Sequence, residues 1–266
     1  MKDISMQELK NTATQMRMKV IDMIYKAQSG HPGGSLSAAD FVTACYFKYM
    51  NLDPKNPRWE DRDRMVLSKG HVCPIQYACL ATVGFFPESV LDTLRKEGSM
   101  LQGHPSMNRC PGIDISTGSL GQGLACAAGM ALAGKLDHKD YKVFCVVGDG
   151  EAETGPLATS WHGNKFMNPI TDGAVLPILH LNGFKIANPT IFSRMSHEEV
   201  ECFFRGCGWE PYFVEGDDPM VMHQQMAAAL DRAIREIKRI QREARKTGEA
   251  KRPRWPMICL LYTSPS

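Results

Sequence analysis

The chain has 266 residues, of which 43% are hydrophobic and 23% charged, and its formal net charge is +2. That length suffices for one large α/β domain or two small ones. The near-balance of charge argues against a nucleic-acid or membrane-surface role, for which a strong basic excess is expected.

The N-terminus, Met1-Lys2-Asp3-Ile4, has no apolar h-region, so no secretory signal is expected. From Met6 to Gln28, Leu9, Met16, Val20, Ile21 and Ile24 recur at helical spacing with charges between them, which predicts an amphipathic helix. It should stop at Ser29-Gly30-His31-Pro32-Gly33-Gly34, and Ser37 could cap a second helix through Ala38, Phe41, Val42, Ala44, Tyr46 and Phe47. Asn51 to Arg64 reads as a polar connection before the short apolar segment Met65-Val66-Leu67. Ser68-Lys69-Gly70-His71 then makes a strand-to-helix turn, followed by an apolar helix from Pro74 to about Val83 and a further helix candidate from Pro87 to Lys96. Gly103-His104-Pro105 sits in a loop. The run Thr117-Gly118-Ser119-Leu120-Gly121-Gln122-Gly123-Leu124 leads into a small-residue helix, Ala125 to Leu136. Glycine-rich entry to a helix N-terminus is a ready phosphate cradle, because unpaired N–H groups and the helix dipole both favour an anion.

The next stretch organises the chain. Val143-Phe144-Cys145-Val146-Val147 turns through Gly148-Asp149-Gly150-Glu151, and a second apolar run, Val175 to Leu181, ends at Asn182-Gly183. Two buried-strand patterns with a helix-length segment between them read as a βαβ unit. Ligands collect at the carboxyl ends of parallel strands, so Asp149 and Asn182 should lie near each other. One carboxylate and one amide oxygen suit Mg²⁺, an ion usually held by few protein groups plus phosphate oxygens. Beyond it, Ser196-His197-Glu198-Glu199 has a capping-box pattern, and Tyr212-Phe213-Val214 reads as a strand. Met220 to Ala244 is a long amphipathic helix, whose arginines and lysines fit a solvated face better than a nucleic-acid patch. No apolar run approaches transmembrane length. Nine cysteines are scattered with no CxxC pair, which fits free thiols in a reducing cytoplasm.

Taken together and in this order, Ser29-Gly30-His31-Pro32-Gly33, Ser68-Lys69-Gly70-His71, Gly103-His104-Pro105, Thr117 to Gly123 and Gly148-Asp149-Gly150-Glu151 resemble the diphosphate-binding domain of transketolase. The likeness runs from about residue 10 to 150 and is strongest to the N-terminal subunit of split transketolases. From about residue 145 to 259 the chain is instead similar to phosphoketolase. Glu151 to Thr159, Trp161-His162, Asp172 to Gly183, Lys185-Ile186-Ala187-Asn188-Pro189-Thr190, Glu210 to Asp218 and Arg252 to Met257 carry that second likeness. The seam falls on the turn the two families share, which reads as a hybrid, made by joining at that motif or existing as a natural intermediate. Leu260 to Ser266 fits neither family and reads as a foreign tail, leaving residues 1–259 as a single domain.

The resemblance implies a three-layer α/β/α thiamin diphosphate-binding fold with a mainly parallel central sheet. It implies thiamin diphosphate and Mg²⁺ as cofactors, and C–C cleavage beside a ketose carbonyl through the cofactor's C2 carbanion. Asp149, Asn182 and the backbone carbonyl of Phe184 would ligate the ion. Gly118, Leu120, Gly148, Gly150 and Glu151 would line the cofactor with Asp149 and Asn182. His31, His71 and His104 would be the catalytic histidines, imidazole being able to give and take a proton near working pH. His162 and His180 are expected to pack in the interior or to support the groups that touch the cofactor, and Lys185 either neutralises phosphate or is a surface lysine. Transketolases place Glu five positions after the motif Asp; here Thr154 stands there, with Glu153 one earlier. In both families a Glu on a separate pyrimidine-binding domain activates the cofactor. The chain is therefore expected to need a pyrimidine-binding subunit or domain, in a homo- or hetero-oligomer, before it acts on a ketose phosphate. The readings that follow are a transketolase-type two-carbon transferase, a phosphoketolase fragment forming acetyl phosphate and glyceraldehyde 3-phosphate, or a non-catalytic scaffold.

Overall fold

In a computed structural model, which describes residues 3–136, 139, 141–185 and 188–262, apolar runs of four to eight residues line up as parallel strands. They are β1 (Arg64–Leu67), β2 (Lys142–Gly148), β3 (Ala174–Leu181), β6 (Trp209–Gly216) and β7 (Trp255–Tyr262), in the spatial order β1-β2-β3-β7-β6. Strand β3 is buried along its whole length, as a strand covered on both faces must be. Two short antiparallel segments, β4 (Phe184–Lys185) and β5 (Asn188–Pro189), form a separate ribbon just after β3.

Helices cover both faces. On one side α5 (Gly123–Leu136) lies across β1, β2 and β3, with α6 (Asp149–Ala152), α7 (Gly155–Ser160) and α8 (His197–Cys207) beside it. The other group comprises α1 (Met6–Ala27), α2 (Pro32–Ser37), α3 (Ala39–Ala44), α4 (Cys73–Val83) and α9 (Pro219–Thr247), with α9 against β6 and β7. Local chemistry sets the ends of these helices. Ser5 and Glu8 cap α1 reciprocally, and Ser196 and Glu199 do the same for α8, as the capping-box pattern predicts. Asp218 accepts from the Val221 N–H at 2.8 Å to start α9. Inside α9, Met222, Met226, Leu230, Ile237 and Ile240 are buried, while Ile234 is half-buried.

The boundaries differ from expectation in three places. The second helix begins at Pro32, not after Ser37: proline suits the first helical turn, where no N–H bond is needed. Ser37 Oγ donates to the Gly33 carbonyl at 2.9 Å instead of capping, and the chain continues through α3 into a π-helical turn, Cys45–Tyr49. The stretch from Pro87 forms a six-residue 3₁₀ helix, Glu88–Thr93. Finally, Leu260 to Tyr262 complete β7: Leu260 and Leu261 pair with both β3 and β6, and Tyr262 pairs with β6. Leucines at 260 and 261 can extend an apolar strand whatever their origin. Residues 263–266 lie outside the described residues.

Candidate active site

The parallel register brings Gly148 opposite His180, so the turn after β2 and the loop after β3 leave the sheet side by side. Asp149 fastens them together. Its Oδ2 accepts from the Gly183 N–H at 2.8 Å and from Thr190 Oγ1 at 3.0 Å, and its Oδ1 accepts from the Gly150 N–H at 3.0 Å. The carboxyl is buried, and burial raises its pKa against the lowering effect of these donors and of Lys69. Asn182 is exposed at the rim, where its Oδ1 accepts from the Phe184 N–H at 3.3 Å. Lys185 pairs with Glu153, so its charge is already engaged.

Glu151 gathers the glycine-rich loop. One oxygen, Oε1, accepts from Ser68 Oγ and from the Gly121 N–H at 3.3 Å; the other accepts from the Gly148 N–H at 3.4 Å. Ser68 Oγ in turn accepts from the Gly123 N–H at 3.1 Å. This changes the reading of the α5 entry as an open phosphate cradle. The N–H groups of Gly121 and Gly123 are spent on Glu151 and Ser68, which leaves Gly118 with the exposed Ser119 and Leu120 as the outward part of the run. Gly118 has a φ of +140°, and a Cβ there would stand 2.9 Å from the His104 ring, so a side chain at this position is excluded on both counts.

The three loop histidines converge. The rings of His31 and His71 meet edge to face, with centroids 5.3 Å apart. Burial pushes His71 down to about 4, assisted by the charges of Lys69, His31 and His104. His104 is shifted down by its burial, then by Arg95 and His31. His71 and His104 are thus held towards their neutral forms, in which each ring can accept one proton and donate another.

Sequence reasoning missed Lys69 as a buried group. Its ammonium contacts His180 Nδ1 beneath the Asp149 turn, and burial lowers it to about 8. A donor from Lys69 requires the proton of His180 on Nε2, which is buried and has no hydrogen-bond partner among the described residues. The clue was available: a lysine directly after an apolar strand sits where the sheet opens. Thr190, which holds Asp149, gave no such signal. His162 is exposed on the 3₁₀ turn Trp161–Phe166, away from these contacts.

Among the described residues no group of three or more His, Cys, Asp or Glu could hold a metal, so a divalent ion at Asp149 would need neutral oxygens and phosphate to complete its shell. A lone buried carboxylate beside an exposed amide, glycines without side chains to obstruct, and a buried ammonium nearby fit a magnesium diphosphate.

Comparisons with known proteins place the chain among two related families. The family model described as XFP N-terminal domain matches residues 86–264, and that described as 1-deoxy-D-xylulose-5-phosphate synthase matches residues 1–161. The chain is 63% identical over 151 residues to a probable phosphoketolase from Rhodopirellula baltica, a match covering 57% of this chain and 18% of the relative. A probable phosphoketolase from Gloeobacter violaceus is 46% identical over 243 residues, 90% of this chain and 26% of the relative. The chain thus spans about a quarter or less of the length of these relatives. A crystal structure of a transketolase mutant from Pichia stipitis superposes with a TM-score of 0.79 at 26% identity, over 97% of this chain and 36% of that one.

Proposed function

The chain belongs to the family of the XFP N-terminal domain over residues 86–264 and to that of 1-deoxy-D-xylulose-5-phosphate synthase over residues 1–161, and from this premise we propose that it is the diphosphate-binding part of a phosphoketolase-type enzyme. The substrate would be a ketose phosphate such as xylulose 5-phosphate, converted with inorganic phosphate to acetyl phosphate, glyceraldehyde 3-phosphate and water. Relatives named phosphoketolase over 90% of the chain favour this over transketolase-type transfer to an aldose phosphate.

The observation that carries the reading is the position of Asp149, which ties the β2 turn to the loop after β3 beside a glycine-lined opening. Asp149, Asn182 and the Phe184 carbonyl would hold Mg²⁺. Gly118, Leu120, Gly148, Gly150 and Glu151 would surround the diphosphate, Glu151 by fixing the loops that contact it. Bound thiamin diphosphate would supply a carbon nucleophile and electron sink for C–C cleavage. His31, His71 and His104 would hold the sugar hydroxyls and carry protons to and from them. A pyrimidine-binding domain or subunit would complete the site, in an oligomer that places the cofactor between the two, and cytoplasmic residence completes the proposal. Among the described residues no helix is long and apolar enough to cross a membrane.

Calorimetry with thiamin diphosphate and Mg²⁺, using the chain with a pyrimidine-domain partner, tests the binding. Heat of binding that disappears in Asp149→Ala supports the site; no binding by the unaltered pair would leave a non-catalytic scaffold. Ketose phosphate supplied with and without inorganic phosphate then separates the chemistries. A phosphate-dependent hydroxamate signal marks acetyl phosphate, whereas product formed only when an aldose acceptor is added marks transketolase.

A further inference from the structure

A second cleft lies away from the carboxyl ends of the strands. It opens between the connection before β1 and the loop that runs from His104 to Gly118, and has a volume of about 520 Å³. The two walls are joined at the amino end of β1. Asp114 accepts from the Met65 N–H at 2.8 Å and pairs with Arg62, whose Nε donates to the Pro57 carbonyl at 2.8 Å. Arg62 is therefore fixed and its charge matched. Arg58 and Arg109, which line the cleft from its two different segments, are exposed and enter no ion pair or side-chain hydrogen bond among the described residues. Between them the surface is made by Pro57, Pro111 and Met107.

We propose that this cleft binds a small organic phosphate monoester, with Arg58 and Arg109 gripping the phosphate from either side and the Pro57–Met107–Pro111 surface taking its carbon skeleton. Two guanidinium forks with no acid to satisfy them are suited to a planar or tetrahedral dianion, each able to give two N–H bonds. The fixed Arg62–Asp114 pair keeps the walls at a set separation, so the charges do not collapse onto a neighbouring carboxylate. Apolar walls around a few convergent polar groups are the usual make-up of a small-molecule site, and 520 Å³ lies within the usual size. The loop forming one wall carries His104 at one end and Gly118 at the other, and Met107 N–H donates to Ser116 Oγ at 3.0 Å across its neck. A ligand in the cleft would thus brace the loop that presents His104. The inference is independent of what reacts at Asp149.

The probe is glycerol 3-phosphate, which lacks a ketone, titrated into the full chain by calorimetry with glycerol as the neutral control. The chain and its Asp149→Ala variant should bind it alike, and Arg58→Gln/Arg109→Gln should weaken binding at least tenfold. Arg252→Gln, which removes an exposed arginine elsewhere, should change nothing. Equal affinity of the double variant and the unaltered chain, loss of binding in Asp149→Ala, or no binding at all would each overturn the proposal. Should the double variant fail to fold by circular dichroism, arginine side-chain NMR of the unaltered chain decides. Shifts at Arg58 and Arg109 on adding the probe support the site, and shifts spread evenly over all exposed arginines sink it.

Discussion

A half-buried imidazole is a small device with a definite pH signature. His71 is held down to about 4 by burial and by neighbouring cations, against 6.5 for the free side chain. The unfolded chain therefore takes up this proton at a higher pH than the folded one does. The contribution of neutral His71 to stability is complete above about pH 6.5 and is lost progressively as pH falls from there towards 4. Imidazole NMR should show the His71 ring without a titration step between pH 7 and 5; a midpoint near 6.5 would mean the ring is solvated and the cluster loosely packed. The same residue shows what was legible beforehand. A histidine in Ser68-Lys69-Gly70-His71 is visible as a candidate because of its neighbours in sequence, and so are His31 and His104. Lys69 beside it was not, because burial of a lysine depends on α3 and β3 closing over it, with Phe41 packed edge to face on His180. Contacts of that kind come from tertiary closure, not from residue spacing.

At the scale of elements, α5 separates two uses of glycine. Gly123 starts the helix against the strand-end turn: a Cβ there would come within 2.3 Å of Ser68 Oγ and 2.7 Å of its Cα. Gly129, two turns later, is exposed and has nothing within 4 Å of such a Cβ. Gly123→Ala should cost about 1–3 kcal/mol by forcing the helix off the turn that Glu151 and Ser68 hold. Gly129→Ala should stabilise the chain by about 0.5–1 kcal/mol, since alanine costs less backbone entropy in a helix interior. Urea unfolding of the pair checks this; equal and opposite results in the other order would mean that α5 does not start where Ser68 meets it. The sequence announced both the helix and its glycine-rich approach. It did not announce which N–H groups were free, because Glu151 lies 30 positions from Gly121 and its hydrogen bonds depend on β2 pairing with β1. Ends of elements were legible where the signal was local, as at Ser196 and Glu199. They were misplaced where two local rules competed, as at Pro32, which stops one helix and begins the next.

For the molecule as a whole, the change of resemblance at about residue 145 falls inside β2, the strand between β1 and β3. The two family matches overlap over residues 86–161, so no boundary between separately folding parts coincides with either. Strand β2 bonds on one side to a strand from the first half and on the other to one from the second, and the helices repeat the pattern. Asp40 on α3 is bound by Arg17 from α1 at 2.9 Å and lies 3.0 Å from His223 Nε2 on α9. Burial would raise the Asp40 carboxyl, but the His223 and Arg17 hydrogen bonds outweigh it and hold the group below the usual carboxylate range. That pairing stabilises the fold above about pH 4 and is lost as pH falls through the lowered value. Fluorescence of a Trp59→Phe variant, whose remaining Trp161, Trp209 and Trp255 are all buried in the second half, should therefore lose structure at the same urea concentration as the far-ultraviolet circular dichroism of the entire chain. Asp40→Asn should move both curves to lower urea together, by the equivalent of about 1–3 kcal/mol, since a neutral amide replaces the buried carboxylate that Arg17 and His223 face. Two separated transitions, or a shift in one signal alone, would mean that the halves fold independently. The sheet order would then describe a contact between two units, not the single core that its hydrogen bonds and its buried ion pair require.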